Sequence, residues 1–216
     1  FFIGEKMEDN LKKGTTTVVV VYDKGVVLAT DKRASMGYLI AHKNAQKLFK
    51  ITDTIGATCA GIVGDIQSLI GLLEAEANLY EMKNGKKIST KALARLTSNI
   101  LQGQRYYPLI AWLVLGGCDS NGAEAYSIDP VGGVNRDAMI STGSGSTMAY
   151  GVLEDRFREN MRFEEGIELS VRAINAAIQR DLATGDGIAV AVIDSSGYRE
   201  LSKEEIETIA VKVKNK

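Results

Sequence analysis

Gly14-Thr15-Thr16-Thr17 is the first run in the chain whose residue types suggest a reaction. A threonine hydroxyl is a poor nucleophile until a base takes its proton, and a threonine at a chain terminus carries such a base in its own α-amino group. That amine has a reference pKa of about 7.7–8.0, so much of it is free base near neutrality. Thr15 is internal, so this chemistry requires the Gly14–Thr15 bond to be cut first. Glycine before the bond leaves room for the neighbouring hydroxyl to attack the backbone. The plainer reading of the same run is a threonine-rich start to a β-strand.

Asp31 opens an Asp-Lys-Arg cluster, and Lys47 lies inside KNAQKLFKI. Each has an ordinary explanation, the first as a solvated strand end and the second as a lysine resting its stem on apolar surface. If the two meet beside Thr15, the carboxylate holds the ammonium, whose positive charge lowers the pKa of both amine and hydroxyl. His42 is the single histidine, and a serine-type triad would need it against a serine and a carboxylate. The segment Thr142–Ser146, TGSGS, suits a phosphate cradle at a helix start. It lacks the P-loop lysine, however, and no parallel βαβ pattern precedes it. Gly61 reads as a glycine accommodating close strand packing, and Asp181 as a helix-terminal acid satisfying turn amides.

These residues need elements to bring them together. TTTVVVVYDKGVVLATDKR is two β-branched runs around Asp23-Lys24-Gly25, the grammar of a hairpin. With the turn near Lys24, Thr15–Thr17 and Thr30–Lys32 share its open end. Further strands are expected at Ala45–Ile51 and Thr54–Ile62. Ile66, Leu69, Ile70, Leu73, Ala77 and Tyr80 then fall at helical spacing over Asp65–Met82, ended by Gly85. A second helix begins near Ser89, a good N-cap, with Leu93, Leu96, Ile100 and Leu101 on one face. Past Pro108, strands are expected at Leu109–Leu115, Ala123–Ile128 and Val134–Ser141, the last two as partners. A helix carrying Tyr150, Leu153 and Phe157 follows TGSGS, and another spans Glu164–Arg180. Strands return at Gly187–Ile193 and Tyr198–Leu201, before a helix opened by Ser202 and Glu205 in capping-box spacing. Strands and helix pairs segregated in this way imply an α+β class, with two packed antiparallel sheets and helices outside.

The 216 residues, 45% hydrophobic and 25% charged, suit one substantial core and one domain. Lysine and arginine total 26 against 27 acids, so charge gives no reason to expect a nucleic-acid or acidic-membrane partner. Cys59 and Cys118 sit in separate apolar stretches, which fits reduced thiols in a cytosolic compartment. With one histidine they offer little for a metal. No apolar run approaches the roughly 20 residues of a membrane span. Phe1-Phe2-Ile3-Gly4 is too short for a signal-peptide core. Glu5–Gly14 reads as a polar leader, and Met7 as a candidate start that leaves Phe1–Lys6 upstream.

Taken together, GTTTV, ATDKR, HKNAQKLF, AGIVGD, STGSGS with GVLE, and QRDLATGDGI resemble proteasome β subunits in order and spacing. The likeness is greatest to the archaeal form and covers essentially all of Gly14 to Lys216. The resemblance implies an N-terminal nucleophile hydrolase, whose fold is a four-layer αββα sandwich. It implies a leader over residues 1–14, removed autocatalytically, and a hydrolase domain over 15–216. Thr15 becomes the nucleophile, Asp31 the partner of Lys47, and Lys47 the group that tunes the threonine. The Gly61 N–H becomes the oxyanion donor, a type worth about 2.7–4 kcal/mol in another protease. Ser144, Asp181 and Thr184 form a polar cluster around the amine. Thr184 departs from the family's usual serine, and Val19 from the glycine of TTTVG.

The matching first side-chain pocket is Ala34, Ala45, Phe49, Cys59, Val63 and Gln67, all uncharged, which implies cleavage of unfolded polypeptides after hydrophobic residues. No metal or organic cofactor is implied. Implied partners are proteasome α subunits, further copies in heptameric β rings, and an ATP-dependent regulatory particle, all cytoplasmic. Two other readings belong beside this one: an uncleaved precursor or non-proteolytic structural ring subunit, and the related bacterial ring protease that works without α subunits.

Overall fold

The computed structural model describes residues 14–214. The leader read at residues 1–14, with its alternative start at Met7, therefore lies outside the described residues except for Gly14.

Strand β1 (Thr16–Tyr22) and strand β2 (Gly25–Asp31) form the expected hairpin, with Tyr22 opposite Gly25 and Thr17 opposite Thr30. Both strands are almost continuously apolar because both of their faces are covered. Val18, Val20 and Val27 pack toward helices, whereas Val19, Val26 and Leu28 face a second sheet. Val19 is fully buried there, between cross-strand partners Leu28 and Ile140. A β-branched side chain in the family's glycine position thus becomes part of the inter-sheet core.

The chain continues as β3 (Ala34–Met36), β4 (Leu39–His42), β5 (Leu48–Lys50) and β6 (Ile55–Gly61). Helices α1 (Val63–Asn84) and α2 (Thr90–Gly103) follow, then β7 (Ala111–Asp119), β8 (Gly122–Ile128), β9 (Val134–Arg136) and β10 (Met139–Gly143). Helices α3 (Ser146–Arg156) and α4 (Phe163–Arg180), strands β11 (Ile188–Asp194) and β12 (Gly197–Glu200), and helix α5 (Lys203–Lys214) complete the described residues. One five-stranded sheet runs β10-β1-β2-β11-β12, another runs β5-β6-β7-β8-β9, and β3-β4 is a separate ribbon. All pairings are antiparallel.

Three apolar layers separate these elements. Leu153, Ile167, Val171 and Ile174 of α3 and α4 pack on the first sheet, and Leu69, Leu73, Leu93 and Leu101 of α1 and α2 on the second. Val19, Leu28, Val114, Ile140 and Ile193 fill the space between the sheets. The architecture is the α+β sandwich, helices–sheet–sheet–helices, that the pattern and the resemblance imply.

Several boundaries differ from expectation, each for a physical reason. The strand expected over Val134–Ser141 divides. Val134–Arg136 pairs with β8, whereas Met139–Gly143 crosses to pair with β1. The crossing is held by Asp137 N–H donating to Ala125 O (3.3 Å) and Val21 N–H donating to Ala138 O (2.8 Å). An extended run carries no mark of which sheet it serves. β7 also runs through Gly116-Gly117-Cys118, past the expected strand end at Leu115. A Cβ on Gly117 would lie 2.3 Å from Thr90 Oγ1, so this glycine marks a tight approach rather than a bend. The β3-β4 ribbon was not anticipated, because most of it is exposed and its pattern weak.

Candidate active site

Strand pairing assembles the site. Thr15 immediately precedes β1, and β10 lies alongside with Thr16 opposite Gly143, which sets Ser144 beside Thr15. On the other side β2 ends at Asp31, opposite Ile188 of β11, which brings the 181–187 loop to the same edge. Lys47 enters from the second sheet, just ahead of β5.

Asp31 is wholly buried, and its carboxylate is saturated. Oδ1 accepts from Lys47 Nζ (2.7 Å) and from Thr16 N–H (3.0 Å). Oδ2 accepts from Gly185 N–H (3.0 Å) and Arg33 N–H (3.1 Å). One oxygen thus joins the ammonium to the backbone just after Thr15, across the two sheets. Lys47 is 7% exposed. Burial pushes its pKa below the usual lysine value, and the attraction of Asp31 offsets this only in part. A lysine so poised sheds its proton more readily than one in water.

A second network adjoins the first. The Thr15 N–H donates to Ser144 Oγ (3.3 Å), and Ser144 donates to Asp181 Oδ2 (2.5 Å). Thr184 Oγ1 donates to the same oxygen (2.5 Å) and lies 2.7 Å from Thr16 Oγ1. Because the Thr184 proton goes to the carboxylate, Thr16 is the donor in that contact. The hydroxyl in place of the usual serine therefore occupies a complete chain. Asp181, the C-cap of α4, also accepts from Ala183 N–H (3.2 Å), so it satisfies a turn amide as well.

A cleft of about 530 Å³ opens beside Thr15. Ala34, Ala45, Phe49, Cys59, Val63 and Gln67 all line it, together with Lys47 and Gly61. Gly61 has φ of +143°, and a Cβ there would stand 2.1 Å from Ile110 O. No other residue fits that turn of chain without strain. Cys59 is buried in the cleft wall, and its thiol pKa is pushed well above the ordinary value. His42 and Lys43 stand at the cleft edge, both exposed. Among the described residues no hydrogen bond joins His42 to a serine or carboxylate, so a serine-type triad is not assembled. TGSGS faces the Asp181 carboxylate through Ser144, a setting that repels phosphate.

Sequence reasoning missed several residues that brace the site. Arg33 Nε donates to Asp186 Oδ2 (2.7 Å) and its NH1 to Leu182 O (2.8 Å), clamping the 181–187 loop to the end of β2. The pair raises the Arg33 pKa and lowers that of Asp186. Ser35 Oγ accepts from Gly14 N–H (2.9 Å), fixing the residue ahead of Thr15. A Cβ on Gly14 would fall 1.7 Å from Ala183 Cβ, so only glycine fits there. Arg33 lies in the ATDKR run and Asp186 and Ala183 in ATGDG, but sequence separation hides which residues these segments touch.

Comparison with known proteins agrees with this geometry. Residues 11–193 match the family model described as "Proteasome subunit". The chain is 52% identical to "Proteasome subunit beta" of Methanothermobacter thermautotrophicus over 201 residues, covering 93% of this chain and 96% of the relative. It is 50% identical to the protein of the same name from Methanospirillum hungatei over 203 residues, 94% and 97% of the two chains. It is 49% identical to "Proteasome subunit beta 1" of Thermococcus sibiricus over 201 residues, 93% and 97% of the two chains. With likeness of this extent laid over a sandwich whose two sheets meet at Thr15, the chain belongs to the proteasome subunit family.

Proposed function

We propose that this chain is a threonine endopeptidase, the proteolytic β-type subunit of an archaeal-type proteasome core. The observation that carries the reading is the buried Asp31 carboxylate, shared by Lys47 Nζ and the Thr16 N–H beside Thr15. Residues 1–14 are a leader and 15–216 the hydrolase domain. In processing, the Thr15 hydroxyl attacks the Gly14 carbonyl, the amide nitrogen leaves as the protonated Thr15 amine, and water hydrolyses the resulting ester.

In turnover the freed amine takes the Thr15 hydroxyl proton as the oxygen attacks a peptide carbonyl. The Gly61 N–H stabilises the oxyanion, the departing amine takes the proton, and water hydrolyses the acyl-enzyme to restore Thr15. Lys47, held by Asp31, lowers the pKa of hydroxyl and amine through its charge, and Ser144, Asp181 and Thr184 orient the amine. No metal or organic cofactor enters these steps.

The uncharged lining at Ala34, Ala45, Phe49, Cys59, Val63 and Gln67 supports preference for hydrophobic residues before the cut. Pocket composition of this kind separates similar side chains by about 1–3 kcal/mol. The relatives' name, "Proteasome subunit beta", supports assembly in a proteasome core with α subunits. We extend this to heptameric β rings served in the cytoplasm by an ATP-dependent regulatory particle that delivers unfolded chains.

Intact mass and N-terminal sequencing of assembled particles test processing, with Thr15 expected as the new terminus. Thr15→Ala should abolish both leader removal and peptidase activity. Fluorogenic peptides ending in tyrosine or leucine should outpace those ending in glutamate or arginine. A permanent terminus ahead of Thr15 in assembled particles would instead make the chain a structural ring subunit.

A further inference from the structure

Three buried threonine hydroxyls have no hydrogen-bond partner among the described residues: Thr17, Thr58 and Thr142. All face the layer between the sheets. Thr17 shares its side of β1 with Val19, and Thr142 its side of β10 with Ile140, both inter-sheet residues. Thr58 on β6 is flanked by Leu48 and Val114, members of the same layer. Thr17 and Thr142 are direct cross-strand partners, and β6 packs against both of their strands.

The position of this cluster is what gives it consequence. Each of these hydroxyls lies two or three residues along the chain from a residue of the candidate site, in or at the end of the same strand. Thr17 of β1 follows Thr15, which immediately precedes that strand, Thr142 of β10 precedes Ser144, which immediately follows it, and Thr58 precedes Gly61 on β6. The hydroxyls therefore lie in the inter-sheet layer within two or three residues of the proposed nucleophile, amine partner and oxyanion donor.

Burying a hydroxyl without a partner costs enough that several such groups rival a domain's whole stability margin. Direct bonds to backbone are made by neighbours instead, as Thr30 Oγ1 does with Thr16 O. The layer is also lined by short side chains at this end, with Ala60 two residues beyond Thr58 on β6 and Ala189 opposite Thr30, the cross-strand partner of Thr17, whereas Leu28 and Ile193 fill it deeper in. Sheets packed about 10 Å apart leave room between short side chains. A site that is polar and roomy, with two or more partners, is what an internal water requires.

We propose that the Thr17, Thr58 and Thr142 hydroxyls bind an internal water that ties β1, β10 and β6 together beneath the site. Resting on the peptidase reading above, this makes the three threonines positioning residues, which hold Thr15, Ser144 and Gly61 at fixed spacing.

Two measurements test it. A structure at a resolution that orders solvent should show density within hydrogen-bond distance of at least two of the three hydroxyls. Direct threonine–threonine bonds or a dry layer would overturn the proposal. Thr17→Val, Thr58→Val and Thr142→Val, alone and combined, are then compared by thermal unfolding. Each single variant should lower Tm by about 2–6 °C, and the triple by less than the sum, because the water leaves with its site. Additive shifts, or single variants that raise Tm, would mean three independent orphaned hydroxyls and refute the water.

In the processed enzyme each valine should lower kcat up to about 10-fold with KM retained, and serine at the same position should restore it. Unchanged kcat in the valine variants, beside Thr15-dependent wild-type turnover, would refute the positioning role. Absence of Thr15-dependent turnover in wild type would instead defeat the peptidase reading and leave the solvent and Tm results to decide the water.

Discussion

Removing either partner of the Lys47–Asp31 pair is the perturbation whose consequence the structure fixes most tightly. The two side chains are 7% and 0% exposed and 2.7 Å apart. Breaking such a buried pair by deleting one member costs about 3–5 kcal/mol, because the other charge stays behind unpaired. Lys47→Met leaves Asp31 with its bonds from Thr16, Arg33 and Gly185, so its cost belongs near the lower figure. Asp31→Asn is worse. Whichever way the amide turns, its NH2 group faces N–H donors, at Thr16 and Lys47 or at Arg33 and Gly185. Its cost belongs near about 5 kcal/mol.

For a chain of this length each 1 kcal/mol moves Tm by about 2–4 °C, so the two variants should lose about 6–12 and 10–20 °C. The double variant has no buried charge to strand and should recover part of the loss, with a coupling of about 2–3 kcal/mol. The measurement is a double-mutant cycle by thermal unfolding at one protomer concentration. A Thr15→Ala background keeps every sample in one covalent state. Additivity within about 0.5 kcal/mol would show that the two groups do not stabilise one another, and would remove the basis for Lys47 tuning Thr15.

Three further outcomes follow from single contacts. Gly14→Ala should slow leader removal markedly in a mass-spectrometric time course, because its Cβ would meet Ala183 Cβ at 1.7 Å, and Ala183→Gly should restore it only in part, since the residue-183 Cα remains 2.8 Å away. Arg33→Met should lower kcat more than it raises KM, since it frees the 181–187 loop from Asp186 and Leu182 without touching the cleft floor. Burial raises the Cys59 pKa above its ordinary 9.0, so its stabilisation is whole below about pH 9 and is lost as pH climbs toward the folded value. Chemical denaturation from pH 8 to 10.5 should show a shallower alkaline decline for Cys59→Ala than for wild type, by up to about 1.4 kcal/mol per pH unit. The lowered Lys47 pKa acts in the opposite direction, but equally in both proteins.

Much of this arrangement was readable in the sequence because local grammar and long-range position coincide. The β1-β2 turn at Asp23-Lys24 places Thr15 and Asp31 at one edge by itself, since antiparallel register then follows from counting. The amphipathic spacing of Ile66 to Ala77 and the Ser202–Glu205 capping box translate as directly, with Glu205 N–H donating to Ser202 Oγ at 3.2 Å. Lys47 was different. A lysine among apolar residues reads as an edge residue, and only the family pattern suggested that it meets Asp31 across the inter-sheet layer. Nothing local distinguishes Asp137-Ala138 as the point where the chain changes sheets, because extended backbone looks alike on both sides. The Arg33–Asp186 clamp was invisible for the same reason, being a contact between distant segments with no periodic signature.

The direction of one proton ties the second network to the chemistry proposed for Thr15. Ser144 can give its proton to Asp181 Oδ2 at 2.5 Å or to Thr15 O at 3.4 Å, and the shorter, charged acceptor wins. Ser144 is then left with only lone pairs facing the Thr15 nitrogen, and it accepts from the amide in the uncut chain. An amine at the same place would likewise donate to Ser144 and keep its own lone pair free for the Thr15 hydroxyl. Had Ser144 pointed its proton at the nitrogen, that lone pair would be occupied and the base weakened. In the proposed chemistry the Asp181 carboxylate would therefore act on the amine through Ser144, with Thr184, bonded to the same oxygen, helping to hold that carboxylate in place.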